Sequence, residues 1–130
     1  MKNIEEIREI FKNDRFATVN GAYIEEVGDG YSVCSIEINE NHKNAAGAVM
    51  GGVPFMLADF AFAVAVNHET MNTVSLSSTI SFLGVAKGNR LIAKAECVKF
   101  GRATCYYTVH ITDEIGTKVA EVVFTGFNKN

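Results

Sequence analysis

Residues 54–66 read PFMLADFAFAVAV and follow directly on a double glycine, Gly51-Gly52. Every side chain in the stretch is apolar except Asp59. A helix that is hydrophobic all round belongs in a protein interior. Pro54 suits its first turn, where a missing N–H does little harm. An ionised carboxylate among apolar side chains is costly unless it is paired or used. Asp59 is therefore expected to be buried, and it is the leading candidate for chemistry.

A helix of about 20 Å, at 1.5 Å per residue, needs something to wrap it. The rest of the chain offers strands. Alternating or β-rich runs occupy 22–27, 31–38, 73–82, 91–100, 104–112 and 118–127, separated by Gly-, Asn- and Asp-containing turns. The short links favour antiparallel pairing. Ile4, Ile7, Ile10 and Phe11 fall at helical spacing and place a short helix near residues 3–13, closed by Asn13-Asp14 and packed on an edge. Residues 39–50, polar and then small, form a loop into the central helix. The expected architecture is α+β: a curved antiparallel sheet of five to six strands around one helix, with residues 1–130 as a single domain.

Composition bounds the function. With 12 basic and 15 acidic side chains the formal charge is -3, and no basic stripe is visible, so nucleic acid is not the expected ligand. The N-terminus alternates charge with isoleucine and does not read as a signal peptide. The apolar stretch at 54–66 is too short to cross a bilayer. A cytoplasmic chain without a membrane role is the expectation. Cys34, Cys97 and Cys105 lie far apart in apolar contexts and read as reduced core residues, with neither disulfide nor metal expected. His42, His68 and His110 are dispersed, the first two read as surface residues, and no GxSxG, P-loop, GxGxxG or HExxH motif occurs.

The segment Asn44-Ala-Ala-Gly47-Ala-Val-Met50-Gly51-Gly52, continuing through Leu57-Ala58-Asp59-Phe60-Ala61-Phe62, resembles the N-x-x-G-x-x-H-G-G-x-x-x-x-L-A-D-x-A-F signature of the PaaI-like hotdog-fold acyl-CoA thioesterases. The likeness runs from about residue 20 to the C-terminus. One departure stands out: the motif's histidine is Met50. The resemblance implies a hotdog fold and hydrolysis of an acyl-CoA thioester to free acid and CoA. It also implies a homodimer or dimer of dimers with active sites between subunits. No bound cofactor is implied, CoA entering as part of the substrate.

Carried over by position, the resemblance makes Asp59 the catalytic carboxylate and the Gly51 N–H the oxyanion-hole amide. Asn44 is the loop asparagine that helps position substrate or water. Ser77 lies about where some members carry a serine that assists the attacking water, with Ser75 and Ser78 nearby. Met50 and Gly52 stand at the substrate entrance. Lys87, Arg90 and Arg102 could meet the CoA phosphates, although exposed basic residues at turns are usually only solvated.

Geometry independent of family points the same way. Eight residues separate Gly51 from Asp59, roughly 12 Å along a helix, too far for both to act on one carbonyl from one copy. In a two-fold dimer with antiparallel central helices, Asp59 of one chain can approach the Gly51 end of the other. There, free N–H groups and the positive helix end favour an oxyanion. Asp59 is then a base or a nucleophile, and the sequence leaves both open. Two other classes remain: a non-catalytic acyl-CoA-binding hotdog protein, and a hotdog hydratase or dehydratase, for which no histidine lies near the helix start.

Overall fold

Alternation between buried and open side chains builds the sheet. The computed structural model describes residues 1–129 and contains six strands: β1 (Tyr23–Gly28), β2 (Tyr31–Glu37), β3 (Thr73–Phe82), β4 (Arg90–Phe100), β5 (Thr104–Asp113) and β6 (Lys118–Asn128). In β5, Cys105, Tyr107, Val109 and Ile111 are buried, while their neighbours Tyr106, Thr108 and His110 lie on the outer face. That period of two is the mark of an antiparallel sheet with one covered face and one solvated face. The strand boundaries match the sequence reading to within one residue.

The central helix α3 (Gly52–Asn67) lies across the covered face, and ten of its sixteen residues are buried. Phe62 anchors it, stacking on Phe124 of β6 at 4.7 Å and meeting Tyr107 of β5 edge-on at 5.3 Å. Each such aromatic pair contributes about 0.5–1.5 kcal/mol beyond the area it buries. Gly126 makes the close approach possible, because a Cβ there would come within 3.1 Å of the Phe62 ring and 2.8 Å of the Cys105 sulfur. Ser32 of β2 donates its hydroxyl to the Ala61 carbonyl at 2.7 Å, which satisfies a polar group in the buried layer.

The strand order is β1-β2-β4-β5-β6-β3, with every pair antiparallel. The expected antiparallel pairing holds, but β3 is not the sheet neighbour of the strand that follows it. β3 pairs with β6 at the far edge, and β4 enters between β2 and β5. The link 83–89 spans that distance and is pinned to the β5–β6 turn. Asp113 accepts from the N–H groups of Lys87 and Gly88 at 2.8 and 3.0 Å, and Glu114 accepts from those of Asn89 and Arg90. At the other end of α3, Asn67 donates to the Thr73 carbonyl and accepts from the N–H groups of Asn72 and Thr73, fixing where β3 begins.

The N-terminal helix α1 (Ile4–Phe11) starts at an Asn3/Glu6 capping box. Asn13-Asp14 does not end helical structure there. A second short helix, α2 (Arg15–Val19), follows at once. Arg8 donates two N–H groups to the Ile24 carbonyl at 2.7 and 3.0 Å, tying α1 to β1, and Phe11 reaches past the edge to meet Phe60 of α3 edge-on.

Candidate functional site

Six residues of α3 escape full burial: Gly52, Phe55, Met56, Asp59, Ala63 and Val66. Apart from the adjacent pair Phe55-Met56 they recur every three or four residues and form one open stripe along a helix otherwise enclosed by its own chain. This corrects the expectation for Asp59, which is exposed in the single chain instead of sunk in its core. The hydrophobic run gave no warning, because the uncovered positions are filled mostly by residues that also suit a core.

Among the described residues the Asp59 carboxylate has no hydrogen-bond or ion-pair partner. Its pKa is raised above the ordinary carboxylate value, first by partial desolvation and second by the charge of Asp14. Met56 and Ala63 flank Asp59 one turn away on the apolar stripe, so the residue is open to solvent and still partly desolvated. Asp14 itself, at the start of α2, is also raised by burial and makes no side-chain cap bond. Sequence reading treated Asp14 only as a helix stop. Its place beside α3 depends on α2, which the short run 15–19 did not announce.

Eight residues earlier, α3 begins with Gly51 at its N-cap, in right-handed helical conformation (φ -58, ψ -28). Neither Gly51 nor Gly52 needs a positive φ. Their role is close approach. A Cβ on Gly51 would lie 3.0 Å from the Phe82 ring, and one on Gly52 would lie 2.7 Å from the Met50 methyl. No acceptor for either N–H exists among the described residues, as the first turn of a helix leaves its amides free. A cavity of about 400 Å³, lined by Val49, Pro54, Phe82, Leu83 and Val85, opens beside Gly51.

The other positions separate. Asn44 is exposed, and its side-chain oxygen accepts from the N–H groups of Ala46 and Ala48, so that atom shapes the loop. Ser77 pairs with Thr125 and Ser78 with Phe124, whose ring stacks on α3. Opposed residues share a face, so Ser78 faces the helix side of the sheet and Ser77 the outer side. The bulge between Ser75 and Ser77 sets this phase, and it is invisible in the sequence. Met50 is half-exposed beside the glycines.

Of the basic residues, Lys87 follows directly on Ala86, which lines the Gly51 cavity. Arg90 is 3.3 Å from Glu25, and Arg102 sits in the β4–β5 turn. The length of β4, about 35 Å for eleven residues, separates Arg90 from Arg102 within one chain. His42 is buried, not a surface residue. Its Nδ1 accepts from the Asn39 N–H at 3.0 Å, which leaves Nε2 protonated and donating to the Asn20 carbonyl at 2.9 Å. No cluster of three or more His, Cys, Asp or Glu suited to a metal occurs among the described residues. No helix in them is long and apolar enough to cross a membrane.

The pattern of the Thioesterase superfamily matches residues 46–120, more than half of the chain. The protein belongs to the thioesterase superfamily. Within that superfamily it is similar to the acyl-coenzyme A thioesterase PaaI of Escherichia coli, with 32% identity over 113 residues, covering 85% of this chain and 80% of that one. The solved structure of the E. coli PaaI protein superposes with a TM-score of 0.88 at 26% identity, over 97% of this chain and 92% of that one. A thioesterase-like protein of Streptococcus pneumoniae, solved with coenzyme A, gives a TM-score of 0.84 at 31% identity, covering 92% and 94%. The six-stranded curved sheet around one helix is thus the PaaI-like hotdog fold, and as a superfamily member the protein is a thioester hydrolase.

Proposed function

We propose that this thioesterase hydrolyses acyl-CoA thioesters to free acid and CoA in a homodimer or dimer of dimers, each site joining Gly51 of one chain to Asp59 of another. The open stripe on α3 carries this reading: an unpartnered carboxylate is exposed on a helix that its own chain otherwise encloses, eight residues from an unpartnered amide. A second α3 laid antiparallel covers both stripes and brings each Asp59 toward the opposite Gly51.

The chemistry follows from that arrangement. The thioester carbonyl accepts from the Gly51 N–H, where the positive end of the helix dipole adds to the stabilisation of the developing oxyanion. Asp59 either attacks the carbonyl carbon, expelling CoA thiolate to leave an anhydride that water then hydrolyses, or takes a proton from a water that attacks the carbonyl, the C–S bond breaking and the proton passing to the leaving thiolate. The same positive helix end, supplied by the partner, favours the ionised carboxylate and offsets the desolvation that raises its pKa in the single chain. Ser78 is the hydroxyl placed to meet water on the helix side, with Ser77 the alternative if the strand phase shifts on assembly. The Asn44 amide NH2 completes the loop rim, and Lys87 meets CoA phosphate. Arg102 reaches a site only if a partner chain brings it there, and Arg90 acts mainly on Glu25. The three free thiols fit a cytoplasmic setting.

Thiol release from short aliphatic, long aliphatic and arylacetyl CoA esters tests the reading. Asp59→Asn should lower kcat by on the order of 100- to 10,000-fold with the fold kept. Mixing Asp59→Asn chains with Gly51→Val chains should restore about a quarter of wild-type activity, since half the dimers then hold one intact site of two. An unaffected Asp59→Asn variant removes Asp59 from the mechanism. Binding of CoA esters by calorimetry without thiol release identifies an acyl-CoA-binding protein instead.

A further inference from the structure

Between α2 and the first turn of α3 lies a cavity of about 260 Å³. Phe16, Met50, Val53 and Met56 supply its apolar walls, and no charged side chain lines it. Much of its polar lining is already committed within the chain. Both ring nitrogens of His42 are bonded within the chain, and Asn20 spends its carbonyl on His42 and its side-chain amide on the Phe16 carbonyl. Asn41, exposed, stands at the rim. A charged guest would lose its hydration here with no opposite charge to replace it, whereas an apolar one meets two thioethers, a phenyl ring and an isopropyl group.

The location names the guest. Gly52 and Met56 lie on the open stripe of α3, with Asp59 one turn beyond Met56, and Gly51, whose N–H is free, stands in sequence between the lining residues Met50 and Gly52. Resting on the reading above, a thioester whose carbonyl accepts from Gly51 leads its acyl chain into this space. The Met50 methyl folds over the bare Cα of Gly52, at 2.7 Å from where a Cβ would stand, so the position that carries histidine in the PaaI-like signature presents hydrocarbon and sulfur here.

We infer that this cavity is the acyl-chain site and that it selects uncharged, straight aliphatic acyl groups by length. At about 30 Å³ per water-sized group the space holds roughly eight such groups, so chains of about six to eight carbons fill it. Each methylene that enters should raise kcat/KM about four-fold until the space is full. A chain ending in carboxylate finds no cationic partner and is rejected, as sites reject groups they leave unpaired.

The test is the kcat/KM series from acetyl- to dodecanoyl-CoA, with glutaryl-CoA beside pentanoyl-CoA, in wild type, Met56→Trp and Phe16→Ala. The octanoyl-to-acetyl ratio should fall about 100-fold in Met56→Trp, which fills the cavity. The optimum should move to longer chains in Phe16→Ala, which opens it, and glutaryl-CoA should be at least ten-fold poorer than pentanoyl-CoA. A folded Met56→Trp protein with the wild-type length profile overturns the inference while leaving hydrolysis intact. If that variant instead changes only the oligomeric state, the cavity belongs to a subunit contact and the inference also falls. Absence of thiol release from every ester would overturn the proposed function itself, and this inference with it.

Discussion

The two edges of the sheet are finished in opposite ways. β1 carries Glu25 and Glu26, is bulged between Ile24 and Glu26, and is tied down by Arg8, whose guanidinium also sits 4.6 Å over the Tyr23 ring. Those are the devices by which native sheets prevent further strand pairing. β3 also has a bulge, at Leu76, but no charged residue lies between Glu69 and Lys87, and nearly all of the strand is exposed on both faces. Val74, Leu76 and Phe82 are all 40% exposed or more. Ten residues of uncharged edge are a liability in a lone chain and an asset in a dimer. In the proposed dimer, that contrast makes β3, and not β1, the edge for a partner to cover.

The largest effect should come from giving β3 the protection that β1 already has. In a two-fold strand pair, lysines at Thr79 and Ser81 place like charges close across the junction. The Thr79→Lys/Ser81→Lys protein should run as a folded monomer by light scattering and lose at least about 100-fold in thiol release, because each site then lacks half its parts. Glu26→Lys on β1 should change neither. A double-lysine variant that stays oligomeric and active would break the comparison.

Next in size is the staple that carries the chain away from the bare edge. Burial alone would raise the Asp113 pKa, but N–H donors from Lys87, Gly88 and Thr117 outweigh it and hold the carboxyl well below the usual range. A lowered folded pKa means that this stabilisation is complete above the unfolded value near 4 and fades as pH falls below it. Asp113→Ala orphans several N–H groups and should lower the melting temperature by on the order of 10 °C at neutral pH, with a smaller gap between variant and wild type in acid.

Smaller still is the loss from uncovering β1. Arg8→Met removes two charge-assisted hydrogen bonds to Ile24 and the contact with Tyr23, and should cost about 1–2 kcal/mol in a denaturant titration. The oligomeric state should not change, since the charges and bulge of β1 remain.

The strands and the central helix were legible because their apolar periods are strong and their turns contain Gly, Asn or Asp. The strand order was not. Nothing local to residues 83–89 says that β3 lies beyond β6, since that depends on carboxylates of Asp113 and Glu114 some 25 residues away in sequence. Gly51 and Asp59 could be found through a motif, yet the exposure of Asp59 could not, because a helix face that awaits a partner has the composition of a core. His42 read as a surface residue for the converse reason: its burial comes from Asn20, 22 residues earlier, through a contact that no local pattern encodes.

Asp14 links the covered side of the molecule to the open one, and it gives the smallest and most specific test. It raises the Asp59 pKa by its charge, second to desolvation, and faces it from the α1–α2 junction. Among the described residues no basic group is paired with either carboxylate. Asp14→Asn keeps the shape and removes the charge, so Asp59 should ionise at lower pH and the acid limb of the kcat profile should move down. At a fixed pH on that limb the rate should rise about two- to three-fold, the size expected of one partly screened charge. Stability must shift in the matching sense. With folded pKa values above the unfolded ones, the native state holds protons that the unfolded chain has released, so wild-type stability declines as pH rises from near 4 toward the raised values. Asp14→Asn should flatten that decline. A rate gain independent of pH would show that position 14 acts through packing and not through charge, and the link between the two sides would then be mechanical.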